Sequence, residues 1–276
     1  MADALTANDG RAVMAGTERA PLVVKNVGKS FVRRGADPST SLKVLDDISL
    51  TVQEGEFTTI IGPSGCGKST LLNAIGGLTP IDTGSMVLDG KALSGPSPEI
   101  SFVFQQASLL PWRTIEANVA YGLELRRTVP RKLIREQARD AMRRVGLSGF
   151  ESHYPHEISG GMQQRANLAR ALTVAPRLVL MDEPFGALDA LTKEVLQDEL
   201  SNLAVATRLS TVFITHDIGE ALFLGDTVLV MSARPGKIIR EIKMPAERPR
   251  DRAIMESPQF KEIVGELHSL LRPART

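Results

Sequence analysis

The sequence predicts an α/β fold built on a mainly parallel sheet, with an antiparallel β patch at its start. Three observations predict it. Short apolar, β-branched runs alternate along the chain with segments of helical periodicity. A glycine-rich stretch, Gly62-Pro-Ser-Gly-Cys-Gly67-Lys68-Ser69, stands between one such run and a helix. Another continuous apolar run, RLVLM at 177–181, ends in Asp182-Glu183, and ligands of open α/β sheets gather beyond the carboxyl ends of strands.

Taken in order, LVVKNVGKSFV at 22–32 and LKVLDDISLTV at 42–52 read as strands joined by a polar loop, and FTTII at 57–61 as a third. A helix from about Lys68 to Ile75 stops at Gly76-Gly77, and short strands follow at 85–88 and 100–104. Residues 114–147 are expected to be mostly helical, with Ile134, Ala138, Met142 and Val145 forming one apolar stripe. Ser159 can cap a helix running to about Val174, which Pro176 prevents from continuing. The run at 177–181 suits a strand covered on both faces. A helix over 190–206 aligns Leu196, Leu200 and Leu203, and TVFIT at 211–215 and TVLVMS at 227–232 are further strands. Arg-Pro-Gly at 234–236 turns the chain into KIIREIK. Ser257-Pro258 then starts an amphipathic helix with Phe260, Ile263, Val264, Leu267 and Leu271 on its inner face.

Composition limits the function classes. The 276 residues are 42% hydrophobic and 24% charged, as in ordinary globular proteins. A formal net charge of +1 gives the chain no strong preference for nucleic acid or anionic membrane. Cys66 is the single cysteine, so no internal disulfide can form and a reducing compartment is the default. No apolar window is long enough for a membrane span, so any membrane role is expected to come through a partner. Residues 1–20 lack the apolar core of a secretory signal and read as a disordered tail.

The stretch at 62–69 fits G-x-x-x-x-G-K-[ST] at every specified position. Glycines let a backbone wrap closely around a polyphosphate and aim N–H groups at it, and the following helix adds its positive end. Lys68 supplies a mobile full charge for the β- and γ-phosphates, and Ser69 offers a hydroxyl to Mg²⁺. The expected ATP contacts are therefore Gly62, Pro63, Ser64, Gly65, Cys66, Gly67, Lys68, Ser69 and Thr70. At its variable loop position Cys66 is either filler or a redox-sensing thiol. Asp182 suits an acidic partner of Mg²⁺, and Glu183 is placed to orient or deprotonate the attacking water.

ISGGMQQRANLARAL at 158–172, lying between the phosphate loop and the acidic run, narrows the choice. Here the sequence resembles the ABC ATPase family, over about residues 22–245, and therefore a P-loop NTPase (RecA-like) core. The resemblance implies an ATPase domain over 21–245 with a helical subdomain inserted at about 106–172, and an extension over 246–276. It makes Gln105, in FVFQQ, a contact of Mg²⁺ or water and a link to a permease, with Gln106 the alternative if the register differs by one. Ser159, Gly160 and Gly161 match the family's signature loop, and Ala187-Leu188-Asp189 its D-loop, with Asp189 at the nucleotide. His216, in ITHD 33 residues beyond Glu183, matches the switch histidine. Phe31 lies where the family stacks an aromatic on adenine; a plain core aromatic is the alternative. The signature departs from the family pattern at Met162, which replaces a glutamine and can supply no side-chain amide. Its Ser-Gly-Gly core is intact, so activity is expected to survive.

In this family two protomers close head to tail over two ATP molecules, so the resemblance implies a homodimer. It further implies integral membrane permease subunits, a peripheral position on the cytoplasmic face of the cell membrane, and no nucleic-acid partner. SLLPWRTIEANV, PFGALD and SARPGKI are similar to importers of the nitrate/sulfonate/taurine type, which work with an extracytoplasmic solute-binding protein. An exporter or lipid-extraction ATPase and a non-transport ABC protein remain alternatives. So does a regulator that no longer hydrolyses ATP, although Glu183 and His216 argue against it. Trp112 is expected near a permease-facing groove or as a buried loop anchor. Arg131, Arg135, Arg139 and Arg143 form one helix row, read as a solvated face or as a contact for anionic headgroups or an acidic neighbour.

Overall fold

A computed structural model describes residues 22–32, 41–126 and 129–272; the tail expected over 1–20 lies outside them. In chain order the strands and helices are β1 (Leu22–Phe31), β2 (Leu42–Val52), β3 (Phe57–Ile61), α1 (Lys68–Ile75), β4 (Thr83–Leu88), β5 (Lys91–Ala92) and β6 (Ile100–Val103). Three helices follow, α2 (Ile115–Arg126), α3 (Arg131–Arg144) and α4 (Gly160–Thr173). The chain continues through β7 (Leu178–Asp182), α5 (Ala190–Thr207), β8 (Ser210–Ile214), α6 (Ile218–Leu224), β9 (Thr227–Met231), β10 (Ile238–Lys243) and α7 (Pro258–Leu271).

The strands form two sheets. One is antiparallel, in the order β2-β1-β4-β5. The other runs β10-β9-β3-β8-β7-β6 and is parallel except for β10 at its edge. Every residue of β3 and β9 is buried, as is LVLM of β7. Strands covered on both faces read as runs of apolar and β-branched residues, which is why the sequence marks them clearly. The parallel arrangement also brings the carboxyl ends of β3, β7 and β8 to one edge, where the chain leaves toward α1, Glu183 and His216.

Helices α2, α3 and α4 share a core of their own, built on Ile115, Val119, Leu123, Ile134, Ala138, Met142 and Ala166. The expected apolar stripe is all there: Ile134, Ala138, Met142 and Val145 are buried. The basic row is a solvated face, with the side chains of Arg135, Arg139 and Arg143 more than half exposed, and it also meets acidic groups of the chain. Arg135 and Arg139 donate to the two oxygens of the buried Glu116 carboxylate of α2, at 2.7 and 2.6 Å, and Arg143 pairs with Asp140 at 2.9 Å. The acidic neighbour is thus within the chain.

Side-chain caps start several helices: Ser159 for α4, Asp189 for α5, Asp217 for α6 and Ser257 for α7. On α7, Phe260 and Leu267 are buried and Ile263, Val264 and Leu271 partly so, as the amphipathic pattern requires. Burying Phe260 and Leu267 contributes about 1.5–3 kcal/mol each before ordering costs. Arg250 is buried and donates to the carbonyls of Leu222, Phe223 and Gly225 at the end of α6, tying the C-terminal segment to the helix that follows His216. Two departures are small. The two-residue strand β5 has no periodicity to announce it, and β4 starts at Thr83, before the apolar run begins.

Candidate functional site

The phosphate loop leaves the end of β3 and enters α1. Gly67 precedes the helix with φ 112°, and a Cβ there would lie 2.9 Å from Leu45 Cδ2, so glycine is required on both counts. No side chain caps α1. Its first-turn N–H groups are left for an external acceptor, at the positive end of the helix dipole. Lys68 is buried, and its Nζ donates to the carbonyls of Gly62 at 2.8 Å and Pro63 at 3.2 Å. The ammonium is thus already folded over the loop, among acceptors weaker than a phosphate oxygen. This donor set fits a triphosphate.

At the neighbouring strand end, Ser69 Oγ donates to Asp182 Oδ1 at 3.2 Å. Burial pushes the Asp182 carboxyl up. The Ser69 hydroxyl and the Lys68 ammonium pull it down and the Glu183 carboxylate pushes it up, and the net direction is upward. Hydroxyl, carboxylate and the nearby Gln105 amide are hard oxygen donors of the kind that could hold Mg²⁺ alongside phosphate oxygens.

Glu183 has φ 44°, in the left-handed region that a residue with a side chain rarely adopts. Holding it there costs about 1–3 kcal/mol. Its N–H donates to Ile214 O at 2.9 Å and its carbonyl accepts from Gly186 N at 3.0 Å, which over-determine the turn. The result places Glu183 Oε2 2.8 Å from His216 Nδ1, across the ends of β7 and β8. Gln105 reaches the same turn: a Cβ on Gly186 would lie 3.1 Å from Gln105 Nε2 and 3.7 Å from Glu183 Oε2. These residues, scattered from 62 to 216, form one patch able to bind a polyphosphate and hold a water beside it.

The other candidates differ in exposure and in what they touch. Ser159 is exposed and accepts from Met162 N at 3.3 Å, while Gly161 packs on Thr192 of α5. Asp189 is exposed and accepts from Thr192 N at 3.0 Å; that N–H bond heads the causes that lower its carboxyl. Phe31 is 43% exposed, with Lys29 Nζ 5.3 Å from its ring centre, so it is not a core aromatic. Trp112 is 72% exposed and is no buried anchor. Cys66 is buried, free, and packed against Gly62.

Sequence reasoning missed two groups. Arg234 donates from Nη2 and Nε to the phosphate-loop carbonyl of Gly65, at 2.9 and 3.2 Å. Lys193 of α5 pairs with Asp217, next to His216, at 2.8 Å. Arg-Pro-Gly announces a turn but not what the turn touches, and Lys193 is one charge among many on a helix.

The ABC transporter family profile matches residues 45–186. The chain belongs to the ABC transporter family. The taurine import ATP-binding protein of Rhizobium johnstonii is 45% identical over 236 residues, 84% of this chain and 90% of that protein. An aliphatic sulfonates import ATP-binding protein of Bacillus cereus is 41% identical over 240 residues, 87% and 91% of the two chains. A nitrate import ATP-binding protein of Synechococcus elongatus is 42% identical over 243 residues, 87% of each. Among solved structures, a dimeric, post-hydrolysis ATP-binding cassette bound to ADP and Pi superposes with a TM-score of 0.70 at 33% identity, covering 82% of this chain and all of that one (100%). The resemblance read from the motifs is borne out, as is the fold class. This ABC protein is a P-loop cassette of the ATP-hydrolysing kind, and the three relatives named here are import ATP-binding proteins.

Proposed function

We propose that the chain binds Mg-ATP at residues 62–70 and hydrolyses it to energise import of a small anionic solute such as nitrate, a sulfonate or taurine. One observation carries the reading: the Glu183 carboxylate, anchored by His216 at 2.8 Å, stands beside the loop that carries Lys68. In this reading Lys68 and the first-turn N–H groups of α1 hold the β- and γ-phosphates. Glu183 orients and deprotonates the attacking water, and His216 fixes the carboxylate and senses the terminal phosphate. Ser69, Asp182 and Gln105 hold Mg²⁺, which when bound neutralises charge on the phosphate oxygens.

Phe31 stacks on adenine at the exposed end of β1. Ser159, Gly160, Gly161 and Asp189 stand at the exposed N-termini of α4 and α5, accessible to the nucleotide of a second copy. A head-to-tail homodimer follows, closing on ATP and reopening once hydrolysis removes the γ-phosphate contacts. No helix of the described residues is long and apolar enough to cross a membrane. In this reading integral permease subunits carry the solute, this chain is peripheral on the cytoplasmic face, and a solute-binding protein works on the other side. Deleting the chain in its host and measuring uptake of nitrate, alkanesulfonates and taurine tests the proposal. Loss of one uptake activity, restored by the wild-type chain and not by Glu183→Gln, is expected; unaltered uptake of all three would reject the solute class.

A further inference from the structure

We propose that Arg234 and the turn around it form a bracket holding the outer rim of the phosphate loop, which makes Arg234 a positioning residue for nucleotide binding. The inference rests on the reading of residues 62–70 as the ATP site. Arg234 sends two guanidinium N–H groups to one carbonyl, Gly65 O, at 2.9 and 3.2 Å. A long exposed side chain could do this incidentally, but its turn is tied down on every side. Gly236 N donates to Val44 O at 2.8 Å, Asp46 N donates to Gly236 O at 3.0 Å, and Lys237 Nζ lies 2.8 Å from Asp46 Oδ2. Ser232 Oγ accepts from Lys237 N and donates to Pro235 O, both at 3.0 Å, closing the turn on itself. A Cβ on Gly236 would lie 2.4 Å from Cys66 O, so the backbone of the turn presses on the loop beside the carbonyl that Arg234 grips.

The consequence follows from peptide planarity. Fixing the Gly65 carbonyl fixes the plane of the Gly65–Cys66 peptide, and with it a stretch flanked by two conformationally permissive glycines, Gly65 with φ 74° and Gly67 with φ 112°. A loop already held in shape loses less freedom when it closes on a polyphosphate. Arg234 acts on the loop and not on the reacting atoms, so ground and transition states gain equally. The effect falls on KM and spares kcat.

The test uses the full chain and measures ATP binding, steady-state hydrolysis, melting temperature and amide hydrogen exchange over residues 62–68. Arg234→Ala should raise Kd and KM for ATP by about threefold to tenfold, the scale of one exposed charge-assisted contact, with kcat within about twofold. Exchange at the loop amides should quicken. Arg234→Lys, which keeps one donor, should recover part of the affinity, and Gly236→Ala should raise KM by displacing the loop from the backbone side. Wild-type Kd and KM in Arg234→Ala, or a fall in kcat at unchanged KM, overturns the bracket. Should Arg234→Ala fail to fold, wild-type KM in both Arg234→Lys and Gly236→Ala overturns it equally. The ATP-site reading fails on separate grounds: a wild-type chain that binds no ATP, or Lys68→Ala binding it as tightly as wild type.

Discussion

His216 Nδ1 sits 2.8 Å from Glu183 Oε2, joining two residues 33 apart in sequence across the ends of adjacent parallel strands. The contact gives the carboxylate a fixed direction, on a residue whose backbone is itself held in the left-handed region. A base that activates water must be fixed in this way, because proton transfer tolerates little misplacement. Glu183→Gln keeps the shape and the hydrogen-bonding reach but cannot take a proton. ATP binding should be intact while hydrolysis falls roughly a hundredfold or more. Near-normal turnover in single-turnover assays would show that Glu183 has another role.

Lys68 makes its bonds through Nζ alone, to Gly62 O and Pro63 O, and would exchange them for phosphate oxygens. One charge-assisted contact is worth about 1.5–3 kcal/mol, so Lys68→Ala should weaken ATP binding by about tenfold to a hundredfold. The bond to Gly62 O is buried, so a melting curve recorded beside the titration establishes that the variant is folded. Calorimetric titration decides the matter, and unchanged affinity would contradict the loop assignment.

Asp182 is half-buried at a cost to the fold. Burial raises its carboxyl above the usual range, so the native state binds that proton more tightly than the unfolded chain does. The sign is then fixed. The ionised group destabilises the fold at neutral pH, and the penalty fades as pH falls through the raised native value. Asp182→Asn removes the charge while its amide oxygen can still accept from Ser69 Oγ. Its melting temperature without nucleotide should equal or exceed wild type near neutral pH, with the advantage vanishing in acid, while Mg-dependent hydrolysis collapses. A clear loss of stability at neutral pH would mean that the carboxylate is a structural group.

The legible parts of this chain are those whose chemistry sits at neighbouring positions. Gly62 to Ser69 and LVLMDE each carry their proposed function in consecutive residues, and the buried residues of β3, β7 and β9 are apolar or β-branched throughout. What escaped depends on pairings across long separations. Nothing near Arg135 or Arg139 in sequence reveals that Glu116, on another helix, collects both. Arg234 meets Gly65 over 169 positions, and only the sheet order, with β9 beside β3, brings them together. Burial of a loop residue is equally invisible: LLPW reads the same whether Trp112 is hidden or, as here, exposed.

Lys193 joins the helix that follows Asp189 to the turn that carries His216. Its Nζ lies 2.8 Å from Asp217 Oδ2 and 3.6 Å from Glu220 Oε1, Gln197 of the same helix donates to Glu220 at 3.0 Å, and Asp217 Oδ1 caps α6 by accepting from Glu220 N at 3.1 Å. Burial alone would raise the Asp217 carboxyl, but the bonds from Lys193 and the Glu220 N–H outweigh it and leave it lowered. A carboxylate lowered on folding stabilises the native state above its unfolded value, and that contribution is lost as pH falls through the native one. Lys193→Met keeps the aliphatic stem and removes the charge, leaving two acidic groups facing each other. Because the Asp217 side chain is 43% exposed, solvent screens part of the loss, and about 1–2 kcal/mol of stability should disappear at neutral pH. The deficit should shrink in acid, where Asp217 no longer needs the ammonium. His216 is one residue from Asp217, so kcat should fall with it while ATP affinity stays at the wild-type level. Urea denaturation at about pH 7 and again in acid below the ordinary aspartate range, run beside ATPase assays at neutral pH, separates these effects; stability equal to wild type at neutral pH would show that the network is ornamental to the fold.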